Sequence, residues 1–169
     1  MIELLLLDRD GVINERIIDG YVTNETQLTF IDSTFNFLSQ NKSLIKNIGV
    51  VTNQQGIGKE LFSTGDLIKI HEKVSQQFLS YGLVDPAYFV CPHLSETCEC
   101  RKPKPLLLLD AMDYFNVTKE STLMIGDSSS DVLAAKAAGV NVVHLDEKCE
   151  FSPCDAISHN LIGEIFNLR

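Results

Sequence analysis

Five short apolar runs, separated by stretches with helical spacing, constrain this chain more than any other feature. They lie at Ile2–Leu7, 47–52, 87–90, 122–125 and 141–145. Each is apolar on both faces, so each needs cover above and below. Between them, apolar residues recur at i, i+3, i+4 and i+7 in segments 34–41, 65–81, 105–115, Ser129–Ala138 and 157–166. Pro105 suits a first helical turn and Gly139 a helix stop. Strands alternating with helices, and buried on both sides, predict a parallel α/β sheet in three Rossmann-like layers. The 169 residues fit one domain spanning 1–169, with no repeat or linker. The segment 147–155 is the loosest and is expected to be a loop.

In such a sheet, ligands bind beyond the carboxyl ends of the strands. Polar groups collect at those ends here. Asp8 and Asp10 follow the first run, and Thr52, Asn53 and Gln54 close the second. Cys91 and His93 follow the third, with Arg101 and Lys102 beyond them. Gly126 and Asp127 follow the fourth, with Asp131 four positions later. Asp8, Asp10 and Asp127 aimed at one place would repel each other, and a hard divalent cation such as Mg²⁺ relieves that. Of two neighbouring acids, one can attack phosphorus while the other handles protons. Thr52 and Asn53 offer donors to phosphate oxygens, and Gly56 and Gly58 are expected to keep that loop open to close backbone approach. Lys102 adds a point charge and Arg101 a planar fork for a second anionic group.

Cys91, His93, Cys98 and Cys100 form a Cys₃His set with two-residue spacing in each half. Four protein ligands close a tetrahedron, so zinc here is expected to be structural and to fix the loop carrying Arg101 and Lys102. Cys149 and Cys154 read as free thiols, and His71, His144 and His159 as structural or surface residues.

The ordered pattern Asp8-Arg9-Asp10-Gly11-Val12-Ile13-Asn14, Val51-Thr52-Asn53-Gln54, Arg101-Lys102-Pro103 and Gly126-Asp127-(x3)-Asp131 resembles the four motifs of the haloacid dehalogenase superfamily of phosphatases. The segment 91–105, CPHLSETCECRKPKP, is similar to that superfamily's zinc-loop branch, which acts on heptose bisphosphates and histidinol phosphate. The resemblance implies a capless HAD-like hydrolase that works through an aspartyl-phosphate. It implies Asp8 as nucleophile and Mg²⁺ ligand, and Asp10 as acid/base with a metal-binding carbonyl. Thr52, Asn53 and Gln54 would hold the transferring group, Lys102 would orient Asp8, Asp127 would complete the Mg²⁺ site, and Asp131 would support it. Arg101, with Asp19 and Tyr21, would contact the rest of the substrate. The chain departs from the pattern at Ser128, where relatives carry a basic residue, and in a longer segment before Gly20.

The implied substrate is a small phosphorylated metabolite, first a heptose bisphosphate, with histidinol phosphate as the alternative. A non-catalytic zinc-stabilised binding protein is the remote alternative. A net charge of −9 argues against nucleic acid, a polynucleotide phosphatase included. No membrane span or export signal is visible in the sequence. A cytoplasmic monomer is the corresponding expectation.

Overall fold

A computed structural model describes residues 2–145. The expected loop at 147–155, the helix at 157–166, Cys149, Cys154 and His159 lie outside the described residues.

The elements run β1 (Ile2–Leu7), α1 (Asp32–Gln40), β2 (Ile45–Asn53), α2 (Gln55–Gly58), α3 (Thr64–Ser80), β3 (Ala87–Cys91), α4 (Leu106–Phe115), β4 (Thr122–Gly126), α5 (Ser129–Ala138) and β5 (Asn141–His144). All five strands pair in parallel, in the order β3-β2-β1-β4-β5. The alternation of β1 divides the core in two. Leu5 and Leu7 pack with Phe35 and Leu38 of α1 and Val74 and Phe78 of α3. Leu4 and Leu6 pack with Leu107, Leu108 and Ala111 of α4 and Ala134 and Ala135 of α5. These four leucines are at most 1% exposed, and each such burial contributes roughly 1.5–3 kcal/mol. The result is three layers with β1 at the centre. Among the described residues no inserted element forms a cap, and no helix is long and apolar enough to cross a membrane.

Helix ends follow local chemistry. Ser63 and Asp66 form a reciprocal capping box on α3, as Ser128 and Asp131 do on α5. Gly139 ends α5 at φ 72°. Pro105 stands just ahead of α4 as its N-cap, whereas the expected helix began with it. The short α2 replaces the open loop expected around Gly56 and Gly58. A Cβ at Gly56 would fall 2.3 Å from the Phe62 ring, and one at Gly58 2.8 Å from the Pro92 carbonyl oxygen. These glycines therefore admit neighbouring protein groups, and their smallness serves packing.

The strand order reverses across β1, since β2 lies to one side and β4 to the other. The carboxyl ends of β1 and β4 flank the crevice that such a reversal opens. Asp8 and Asp10 leave one lip, and Asp127 the other.

Candidate functional site

Asp8 continues β1, its N–H donating to the Ile125 carbonyl of β4 at 3.0 Å. Its Oδ1 accepts the Arg9 N–H at 2.8 Å and lies 2.9 Å from Lys102 Nζ. Burial pushes the Asp8 carboxyl up to about 7, with Lys102 opposing and Asp131 and Asp10 adding to the rise. Lys102 Nζ also donates to the Val51 carbonyl at 2.7 Å and pairs with Asp131 Oδ1 at 2.6 Å. Three oxygens thus surround an ammonium that has three N–H groups. Lys102 is 3% exposed, so it is a fixed counter-ion, held for Asp8 by Asp131. Asp131 is in turn bonded through Oδ2 to the Ser128 N–H and hydroxyl. A Cβ at Gly126 would meet the Asp131 Cβ at 2.3 Å, so glycine at the end of β4 lets this acid approach.

After Asp8 the chain turns at Gly11, φ 98°, and Asp10 is re-aimed. Its carboxylate takes Arg9 Nη2 at 2.9 Å, Asn14 Nδ2 at 2.9 Å and Gln54 Nε2 at 2.9 Å. Burial raises the Asp10 carboxyl, but the Arg9 charge and these hydrogen bonds outweigh it, and the net effect is a value below the usual range. Gln54 was expected to touch substrate. It is fully buried, and its amide instead donates to both Asp10 Oδ2 and Thr52 Oγ1 (2.8 Å). Its part is to tie the acid/base candidate to the phosphate-binding candidate. Asn53 lines the cavity over the site. Its amide exchanges two 3.0 Å hydrogen bonds with the Lys102 backbone, so it fixes the loop that delivers Lys102.

Asp8, Asp127 and Asp131 each offer an oxygen within 4.8 Å of the others. Asp131 is committed to Lys102 and Ser128, which leaves Asp8 and Asp127 as metal candidates. A Cβ at position 11 would sit 1.8 Å from Asp127 Oδ2. Only glycine admits this carboxylate. Burial raises the Asp127 carboxyl, against a lowering pull from Arg16. Three acids this close, with only Lys102 and Arg16 against them, fit a hard divalent cation.

A cavity of about 520 Å³ opens over these groups. Asp8, Asp10, Thr52 and Lys102 line it, as do Asp19, Tyr21, Arg101, Ser128 and Ser130. Two lining cations escaped sequence reading. Lys59 donates to the Tyr21 hydroxyl at 3.1 Å and lies 5.4 Å from its ring centroid. Arg16 Nη2 lies 2.9 Å from Asp127 Oδ1 and 3.3 Å from the Asp10 carbonyl. A run of exposed residues hid Arg16, although its place right after the Asp8–Asp10 motif was a usable signal. Arg101 Nη1 is buried without a hydrogen-bond partner.

The four sulfur and nitrogen ligands converge. Cys91 Sγ is 3.5 Å from Cys98 Sγ and 3.7 Å from His93 Nδ1; Cys100 Sγ is 3.5 Å from Cys98 Sγ and 3.2 Å from His93 Nδ1. Zinc–sulfur bonds of about 2.3 Å in a tetrahedron place ligands about 3.7 Å apart. Burial pushes the Cys91 thiol up to about 12, and the neighbouring Cys100 adds to the rise. A metal would reverse this by binding the thiolate. The donor set and spacing fit zinc.

The haloacid dehalogenase-like hydrolase model matches residues 9–145. The chain belongs to that family. Within it, a Vibrio cholerae D-glycero-beta-D-manno-heptose-1,7-bisphosphate 7-phosphatase is 35% identical over 144 residues, covering 80% of this chain and 76% of the relative. A Mycobacterium tuberculosis D-glycero-alpha-D-manno-heptose-1,7-bisphosphate 7-phosphatase is 38% identical over 130 residues, covering 76% and 68%. The crystal structure of D,D-heptose 1,7-bisphosphate phosphatase from B. bronchiseptica, complexed with magnesium and phosphate, superposes with TM-score 0.79 at 30% identity. That match covers 85% of this chain and 80% of the other.

Proposed function

We propose that this family member is a Mg²⁺-dependent phosphatase, a single hydrolase unit that removes the 7-phosphate of a D-glycero-D-manno-heptose 1,7-bisphosphate. The observation that carries the reading is the Asp8–Lys102 pair beside Asp127, at the floor of a cavity whose wall bears Lys59 and Arg101. The relatives' names supply the sugar.

Lys102 and the Arg9 N–H fix Asp8 through Oδ1, and Oδ2 carries neither contact. The Asp8 carboxylate forms a bond to phosphorus as the ester P–O bond breaks. The leaving alkoxide takes a proton from Asp10, and the same carboxylate later takes one from water as that water attacks phosphorus. Breaking the Asp8–phosphorus bond returns the enzyme and inorganic phosphate. The resting Asp10 is ionised, which suits the base half. An arriving phosphate dianion raises its proton affinity, so that Asp10 takes from solvent the proton it then gives to the leaving alkoxide. Asp8, Asp127 and the Asp10 carbonyl would hold Mg²⁺, which supplies positive charge between carboxylate and phosphate. Thr52 faces the transferring group.

Two cations away from Asp8 favour a second anionic group over the imidazole of histidinol phosphate. The buried, unpartnered Nη1 of Arg101 marks an unmet demand for an acceptor there. Cys91, His93, Cys98 and Cys100 would hold zinc and support the Arg101–Lys102 loop that directly follows Cys100.

Phosphate release from both heptose 1,7-bisphosphate anomers and from histidinol phosphate, with Mg²⁺, tests the reading. The bisphosphate is expected to give the highest kcat/KM, and Asp8→Asn to remove turnover. A histidinol phosphate preference, or an active Asp8→Asn, refutes the corresponding part.

A further inference from the structure

Two cations serve the acid cluster, and they differ in kind. Lys102 is buried and surrounded by three fixed oxygens. The Arg16 side chain is 50% exposed and reaches the cluster from an exposed segment, 15–20. That segment's backbone ties include the Gly20 N–H to the Ile17 carbonyl at 3.2 Å within the segment and the Glu15 N–H to the Thr29 carbonyl at 2.8 Å outside it. Ile18 within it is 86% exposed.

The targets of Arg16 are specific. Nη2 contacts Asp127 Oδ1 and the Asp10 carbonyl. Those are two of the three groups assigned above to the divalent cation. Asp127 Oδ2 is the oxygen packed nearest Gly11, and Arg16 holds the other one, Oδ1. A guanidinium and a divalent cation on the same oxygens repel each other, and a half-exposed ion pair is cheap to break.

We propose that Arg16 is an internal counter-ion that competes with the divalent cation for Asp127 and the Asp10 carbonyl. Metal entry releases Arg16, and with it the 15–20 segment that borders the substrate cavity through Ile17, Asp19 and Gly20. The device keeps the acids neutralised before loading and links metal occupancy to the freedom of the substrate-facing segment. It rests on the Mg²⁺ reading of Asp8 and Asp127.

The test compares Mg²⁺ affinity of the wild-type protein and Arg16→Ala by calorimetry, with no substrate present. Arg16→Ala is expected to bind roughly two- to five-fold more tightly. The gap should shrink as NaCl rises and screens the exposed pair. The wild-type protein gives an independent reading, because trypsin cuts after Arg16. Mg²⁺ is expected to speed that cut. Equal or weaker binding by Arg16→Ala, or a tryptic cut that Mg²⁺ leaves unchanged or slows, overturns the proposal alone. Absence of Mg²⁺ binding to both proteins overturns the metal reading and the proposal with it.

Discussion

Gly11→Ala is the sharpest perturbation of this site, because it adds one methyl at a place the structure has already filled. The new Cβ would lie 1.8 Å from Asp127 Oδ2 and 2.4 Å from its Cγ. Reaching van der Waals contact at 3.4 Å requires the Asp127 oxygen to retreat by about 1.6 Å. Mg²⁺–oxygen bonds are about 2.0–2.1 Å long, and metal sites tolerate errors of about 0.2 Å. The displacement is several times that tolerance. Mg²⁺ affinity should therefore fall at least about tenfold, and a misplacement above 1 Å should cost about a hundredfold in kcat/KM. Alanine at φ 98° adds backbone strain of about 1–3 kcal/mol, or roughly 2–12 °C in Tm for a chain of this size. Calorimetry with Mg²⁺, phosphate release on heptose 1,7-bisphosphate, and thermal unfolding measure the three effects. A folded Gly11→Ala protein within threefold of wild type in both Mg²⁺ affinity and kcat/KM would refute the placement of Asp127 against Gly11.

Gln54→Leu removes the amide that joins Asp10 to Thr52; kcat is expected to fall about 10–100-fold with KM nearly unchanged, and a KM effect alone would make Gln54 a substrate contact after all. Zinc should be present at one equivalent by elemental analysis. Its chelation should lower Tm by roughly 8–16 °C, taking a linkage of about 4 kcal/mol; an unchanged Tm would count against the Cys₃His site. His71, stacked on Tyr88 at 4.1 Å, is pushed down from 6.5 to about 3 by burial and by Arg9. The unfolded chain therefore binds the extra proton between those values, and stability contributed by neutral His71 is lost as pH falls through that window. From pH 7 to 4.5 the loss is roughly 2–3 kcal/mol; His71→Phe should escape it, seen as a stability difference from wild type that grows on acidification. A difference that stays flat with pH would mean that His71 is not held neutral.

The sheet was legible because two-sided apolar runs have few ways to be buried. β1 matches its expected bounds, whereas β2 extends two residues further at its start and one at its end. The candidate acids were legible for a related reason: Asp8 and Asp10 directly follow such a run, and a parallel strand end faces the ligand crevice. What escaped was the division of labour among neighbours. Asn53 and Gln54 sit beside Thr52 in sequence, yet their partners Lys102 and Asp10 lie 49 and 44 positions away. Arg16 meets Asp127 across 111 positions.

By itself, then, the sequence determined that β1 is apolar on both faces, that its end carries acids, and that a Cys₃His set precedes Arg101 and Lys102. These depend on adjacent residues and on periodicity, which one chain displays directly. Only the tertiary structure decided which oxygen each cation holds. It made Lys102 the buried partner of Asp8 and Arg16 the half-exposed partner of Asp127. It also made Gln54, an expected substrate contact, a buried tie between Asp10 and Thr52. Hydrogen bonds need contact within about 3 Å, and across β1, β2 and β4 that contact exists only once the strands are in register.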